Sequence, residues 1–137
     1  MPDAQTGLFR KAFSFPFGLF GFESVQMFSL SSEPDEAPFL RLQVQDNASL
    51  EFVVISPFEV LKDYHPEIPR SDLEFLNLDA RDDMLLLSIV KPHAKGVVTA
   101  NLKGPIVINR QTAKAKQVIL ENAARYSLVH PLSVTES

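Results

Sequence analysis

The side chains best suited to metal or proton chemistry in this 137-residue chain are His65, His93 and His130, with Asp63 and Glu67 beside the first. Each histidine stands next to a proline, and none is paired with another at the close spacing by which one helix or strand face presents two ligands, as in His-Glu-x-x-His. They read as loop residues, and no metal site is expected. The chain has no cysteine, which removes thiolate nucleophiles, cysteine-based zinc and iron–sulfur sites, and disulfides. No Gly-x-Ser-x-Gly elbow presents a serine nucleophile. Gly18 and Gly21 lie among aromatic residues, without the following helix and Lys-Ser/Thr pair of a phosphate loop. Asp82 and Asp83 are adjacent, so in a strand they would point to opposite faces; they read as a solvated turn. Neither catalysis nor a cofactor is expected.

Charge is distributed unevenly around a net of −4. Glu59 to Asp83 carries eight acids against Lys62, Arg70 and Arg81, a local balance of −5. Lys91 to Gln117 holds Lys91, Lys95, Lys103, Arg110, Lys114 and Lys116 with no acid. Clustered cations of this kind can neutralise nucleic-acid phosphates, which gives a rival reading as a direct RNA-binding regulator using residues 91–116. The same stretch contains no Phe, Tyr or Trp on which bases would stack, and a solvated strand-and-loop face is the better account. The most unusual segment is Phe13-Ser-Phe-Pro-Phe-Gly-Leu-Phe-Gly-Phe22, with five Phe and two Gly in ten residues. Its rings either fill a core at a strand end and tight turn, or form an exposed ledge that receives a partner, with Phe17, Phe20 and Phe22 the candidates.

These residues must be positioned by short strands. Leu40 to Val44 alternates with period two, and Leu50 to Ile55 follows the turn-prone Asp46-Asn47-Ala48-Ser49; together they predict a hairpin, the second strand buried on both faces. Further strands are expected over Met84 to Val90, Val97 to Leu102, Pro105 to Asn109 and Lys116 to Leu120, in a meander or barrel. One short helix is expected over Ser71 to Leu78, with Ser71 and Glu74 as a capping box. Prolines such as Pro34, Pro57, Pro69 and Pro92 fall between these runs, where a missing amide donor costs least. The expectation is a mainly β, antiparallel β-barrel-like single domain, with residues 1–12 either disordered or an incomplete first strand. No secretory signal is legible, and apolar runs such as Met84 to Leu87 fall far short of the about 20 residues that span a bilayer. A cytoplasmic monomer without a membrane partner is expected.

Three stretches together resemble the FliW-type flagellar assembly factor family. Phe15-Pro-Phe-Gly-Leu-Phe-Gly-Phe-Glu23 is similar to that family's Phe-Pro-x-Gly-Ile-Pro-Gly-Phe-Glu. Ser56-Pro-Phe-Glu59 continues through Asp63-Tyr64 to Ile68-Pro69. Thr99-Ala-Asn-Leu-Lys-Gly-Pro-Ile-Val-Ile-Asn-Arg110 leads to Gln117-Val-Ile-Leu120, Tyr126-Ser127 and His130-Pro-Leu132. Departures are Phe20 for the usual proline, Val129 for an arginine before His-Pro, and a shorter segment before Phe15. The resemblance implies a β-barrel-like fold, no catalysis, and two protein partners, flagellin and the translational repressor CsrA. In that picture the protein, when not occupied by flagellin, holds the repressor away from flagellin mRNA. Beside it stands a physical reading: acids including Asp72, Glu74, Asp82 and Asp83 complement a basic repressor, and the Phe17 to Phe22 ledge receives flagellin's amphipathic helices. Asn101 and Asn109 are either contact residues or amides that satisfy backbone groups, and Arg110 either meets a partner carboxylate or clamps its own loop.

Overall fold

The computed structural model describes residues 9–79 and 83–132. Strands β1 (Phe9–Ser14), β2 (Met27–Ser32), β3 (Leu40–Val44) and β4 (Asn47–Ile55) form an antiparallel meander. A short helix α1 (Pro57–Val60) and a second, α2 (Arg70–Phe75), follow before β5 (Met84–Pro92), β6 (Val98–Ala100), β7 (Ile106–Asn109), β8 (Lys114–Gln117) and β9 (His130–Pro131). Seven strands close into a barrel in the order β4-β3-β2-β1-β8-β7-β5, with β5 returning to β4. The seam between β1 and β8 is parallel, through Ser14 and Lys114, so the sheet is mixed rather than purely antiparallel. Strands β6 and β9 extend the far end of β5. Residues 9–12, within the stretch expected to be disordered or incomplete, pair with β2 along their whole length.

Alternation explains what fills the barrel. Phe13, Phe28, Leu30, Leu42, Val54, Ile106 and Ile108 point inward with Phe15 and Leu19, and Phe15 meets Phe28 edge to face at 4.8 Å. A second apolar cluster lies on the outer face of β5 and β7, where Leu86, Val107 and Val118, the residue after β8, are covered by Tyr64, Leu76, Leu78 and Leu102. The segment carrying the two helices is therefore a lid over one side of the barrel. It explains why all four residues of β7 are buried.

Local readings of the sequence change in several places, β2 and β9 being strands beyond those expected. β4 is not buried on both faces: Glu51 and Val53 are exposed on its outer side, and the doubly covered strands are β5 and β7. Ser71 and Glu74 do not form a capping box, since α2 already begins at Arg70 and its N-cap is Pro69, whose carbonyl accepts from Asp72 and Leu73. α1 is an additional helix, started by Ser56 Oγ accepting from the Phe58 amide with proline at the first helical position. Finally, β8 starts at Lys114 rather than Lys116, because the Asn109 side chain accepts from the Gln111 and Thr112 amides and tightens the preceding turn.

Candidate functional site

The Phe-rich segment becomes a turn between β1 and β2 that splays its rings in different directions. Phe15 and Leu19 enter the core, while Phe17 and Phe20 are 56% and 51% exposed. Gly18 makes this possible. Its φ of +66° lies in the left-handed region, and a Cβ there would sit 2.5 Å from the Phe22 carbonyl oxygen, so no other side chain fits. Phe22 turns away to meet Phe52 edge to face at 5.1 Å, which separates it from the other two candidate rings.

β8 and α2 hold the exposed rings. Phe17 meets Phe75 of α2 at 5.2 Å with the two rings tilted by 49°. The Lys116 ammonium stands 5.2 Å from the Phe17 ring centre and pairs with Asp72, while Lys114 stands 4.1 Å over Phe75. The next residue, Gln117, is buried and uses both ends of its amide. Its Oε1 accepts from the Phe20 amide at 2.8 Å and its Nε2 donates to the Gly104 carbonyl at 3.0 Å. Phe17, Phe75, Lys114 and Lys116 thus form an aromatic and cationic ledge pinned to the barrel, and the exposed Phe20 ring lies beside the Gly104 loop.

Beyond α2 lies a groove of opposite character. Ile68, Leu73, Leu78 and Met84 floor a cavity of about 440 Å³, and Glu67, Asp79 and Glu121 stand at its walls with His65. It continues past Glu74 at one end and toward Phe58 and Arg110 at the other. The wall is built by reciprocal bonds: Asn122 accepts from the Glu67 amide and donates to the His65 carbonyl, and the Glu121 amide donates to the Glu67 carbonyl. The Tyr126 hydroxyl accepts from the His65 amide. Tyr64 beneath it donates to the Leu102 carbonyl at 2.7 Å, and burial, with Tyr126 adding to it, pushes its phenol well above the ordinary range.

Of the acids expected to form a charged surface, Glu74 is exposed beside Arg70 and Asp83 is half-buried. Asp72 is buried in its pair with Lys116, so it faces the ledge rather than a basic partner; Asp82 lies outside the described residues. Asn109 is buried, donating to the Leu76 carbonyl, and Asn101 accepts from the Lys103 and Gly104 amides; both amides are engaged in satisfying backbone groups. Arg110 is exposed at the end of β7, its amide donating to the Asp83 carbonyl. Residues not singled out from sequence include Phe75, Gln117, Asp79, Glu121 and Asn122. For Phe75, Gln117, Glu121 and Asn122 no local spacing signals their role, because their partners lie far along the chain. Among the described residues no group of three or more His, Asp or Glu side chains could hold a metal ion, and no helix is long and apolar enough to cross a membrane.

The family model described as FliW protein matches residues 6–132. The chain belongs to the FliW family. Its relatives include flagellar assembly factors FliW of Leptospira interrogans serovar copenhageni, 39% identical over 82% of this chain and 77% of the relative, and of Bacillus subtilis, 35% identical over 86% and 82%. That of Borreliella afzelii is 37% identical over 86% and 89%. A crystal structure of the flagellar assembly factor FliW superposes with a TM-score of 0.79 at 34% identity, covering 90% of this chain and 86% of that one. The stretches that resemble FliW proteins build the ledge turn, α1 with the groove wall, and β6 through β8. Phe20, in place of the family's proline, supplies the amide that Gln117 captures, which a proline could not. Val129, at the arginine position, is 52% exposed.

Proposed function

We propose that this FliW-family chain acts stoichiometrically and without catalysis, as a cytoplasmic monomer that binds flagellin and, when flagellin is absent, a CsrA-type translational repressor. Occupation by flagellin then releases the repressor onto flagellin mRNA. The observation that carries the reading is the coexistence of two firmly held surfaces of opposite character, the aromatic ledge and the acid-walled groove. Exposed aromatic rings on a rigid turn are the anchors from which protein interfaces are built. The acids of the groove, Glu67, Asp79 and Glu121 with Glu74 beyond them, suit a basic RNA-binding repressor and disfavour RNA itself. Direct RNA binding by residues 91–116 finds less support, since Lys116 is paired with Asp72 and Lys114 lies on Phe75.

Calorimetric titration of the purified protein against the source organism's flagellin and its CsrA, at low and high salt, tests this. Micromolar or tighter binding, with each partner displacing the other, is the expected result. Absence of binding to both overturns the partner switch.

A further inference from the structure

Strand β5 is paired from end to end on one side only. The Asp83 carbonyl just before it and the Ile89 carbonyl within it accept from the Arg110 and Asn101 amides, on the side of β7 and β6. Backbone groups alternate along a strand, so the even residues Met84, Leu86, Ser88 and Val90 turn theirs the other way, toward β4. β4 meets Ser88 and Val90 through Ile55 and Val53, then leaves the sheet at Ser56, where Pro57 starts α1. Leu86 comes next along this edge, and among the described residues nothing bonds its N–H or its carbonyl. The edge opens onto a cavity of about 420 Å³ lined by Met84, Leu85 and Leu86 together with Phe58, Tyr64 and Pro66. Met84 and Pro66 also line the neighbouring cavity of Glu67, Asp79 and Glu121, whose described lining includes no Lys or Arg. Over the whole groove, Glu67, Glu74, Asp79 and Glu121 stand against Arg70 and Arg110, four acids to two cations, a balance of −2.

We propose that the edge of β5 at Leu86 takes a short extended segment of a partner as an added strand, continuing the line of β4, with an apolar residue beside Leu86 and a Lys or Arg two positions on, beside Met84. The backbone decides the shape of this occupant. A helix satisfies its own amides and carbonyls and would leave those of Leu86 without a partner, whereas an extended chain supplies one donor and one acceptor at the required spacing. Side chains follow from the pleat. A guest residue opposite Leu86 projects on the same face as Leu86, the face on which Tyr64 packs and which Phe58 borders, so it must be apolar. Two residues further on, the guest side chain shares the face of Met84, from which the cavity of Glu67, Asp79 and Glu121 opens, and a cation is favoured there. The wall is preformed by the bonds of Asn122 and Tyr126 to the His65 to Glu67 backbone, so little ordering cost falls on this side of the interface. The inference deepens the repressor reading by naming how a basic partner is held, and rests on it only for its natural probe.

The test uses the full chain, amide-resolved hydrogen exchange and a short acetylated Val/Thr/Arg peptide. In the free protein the Leu86 amide is expected to exchange about tenfold or more faster than those of Leu85 and Leu87, and to slow on adding the peptide. Two altered peptides separate backbone from charge. N-methylation of the valine that pairs with Leu86 removes one backbone donor and is expected to weaken binding by about tenfold. Citrulline in place of arginine, or Asp79→Asn with Glu121→Gln in the protein, is expected to weaken it by about threefold to tenfold at low salt and less at high salt. These two acids are exposed, so the variant is expected to fold as the wild type does. Equal binding of the N-methylated peptide overturns strand addition, and equal binding of the citrulline peptide overturns the basic occupant. A Leu86 amide as protected as its neighbours in the free chain overturns the open edge. Competition by CsrA distinguishes the inference from the reading beneath it. Peptide held at Leu86 but not displaced by CsrA keeps the edge and takes the repressor away from it. CsrA binding without any peptide binding overturns the edge and leaves the repressor reading standing.

Discussion

Gly18 and Tyr64 show how single residues fix the two surfaces. At Gly18 the obstacle to any side chain is backbone, the Phe22 carbonyl and Glu23 Cα, which cannot swing aside as a flexible side chain would. Gly18→Ala is expected to destabilise the protein by about 2–4 kcal/mol, combining left-handed strain with the clash. Gly21→Ala, also at positive φ but with nothing within 4 Å of the added carbon, is expected to cost about 1 kcal/mol. Urea denaturation of both checks the difference; equal losses would mean that the close approach is unimportant. Tyr64 concerns pH. Its folded-state pKa is raised above the unfolded value, so the native state keeps the phenol proton longer than the unfolded chain does. Its contribution is fully present below about pH 10 and falls as pH rises beyond that, because the unfolded state alone gains from ionisation. Tyr64→Phe is expected to lower stability at neutral pH, by about 1–2 kcal/mol, through the orphaned Leu102 carbonyl. It is also expected to flatten the alkaline decline. Thermal midpoints of both proteins between pH 8 and pH 11 measure this, and parallel declines would remove Tyr64 as the cause.

Between elements, the decisive contacts join distant parts of the chain. Gln117 ties the β1–β2 turn to β8 and to the Gly104 loop, linking positions 97 and 13 residues away. Gln117→Met keeps the length and removes both bonds. It is expected to cost about 1–3 kcal/mol and to speed hydrogen exchange at the Phe20 amide more than at β8 amides. Uniform acceleration across the barrel would instead mark a general loss of stability. Such links explain which elements were legible in the sequence. Strands β3 and β5 were readable because their apolar runs are bounded by turn residues or proline. α1 also has a local signal, since Ser56-Pro57 is a helix start. The burial of β7 on both faces was not, because it depends on a lid contributed from residues 57–78. The Phe ledge was visible as composition, yet only the fold separates Phe17 and Phe20 from Phe22 and adds Phe75 and Lys114. Asp72 looked like one more surface acid until its partner, 44 residues away, was in view.

For the whole molecule, α2 divides two surfaces of opposite sign: Asp72 and Phe75 meet the ledge, while Leu73 and Glu74 line the groove. Recognition of a basic partner therefore depends on where charge sits, and two variants separate this from net charge. Glu74→Gln with Glu121→Gln moves the net charge from −4 to −2, and Lys114→Glu moves it from −4 to −6. Glu74 is suited to the first variant because its pair with Arg70 is exposed and long at 3.9 Å, worth little to folding. If net charge steered association, Lys114→Glu would accelerate capture of a basic repressor. Local complementarity predicts otherwise: the double Gln variant slows association with CsrA by roughly threefold to tenfold at low salt, while Lys114→Glu leaves it nearly unchanged. Stopped-flow association across a salt series distinguishes the two. Acceleration by Lys114→Glu together with normal capture by the double variant would take the repressor away from the groove, whereas the opposite pattern ties the two partners to separate faces. Their mutual exclusion would then act through α2, the element both faces share, rather than through overlap.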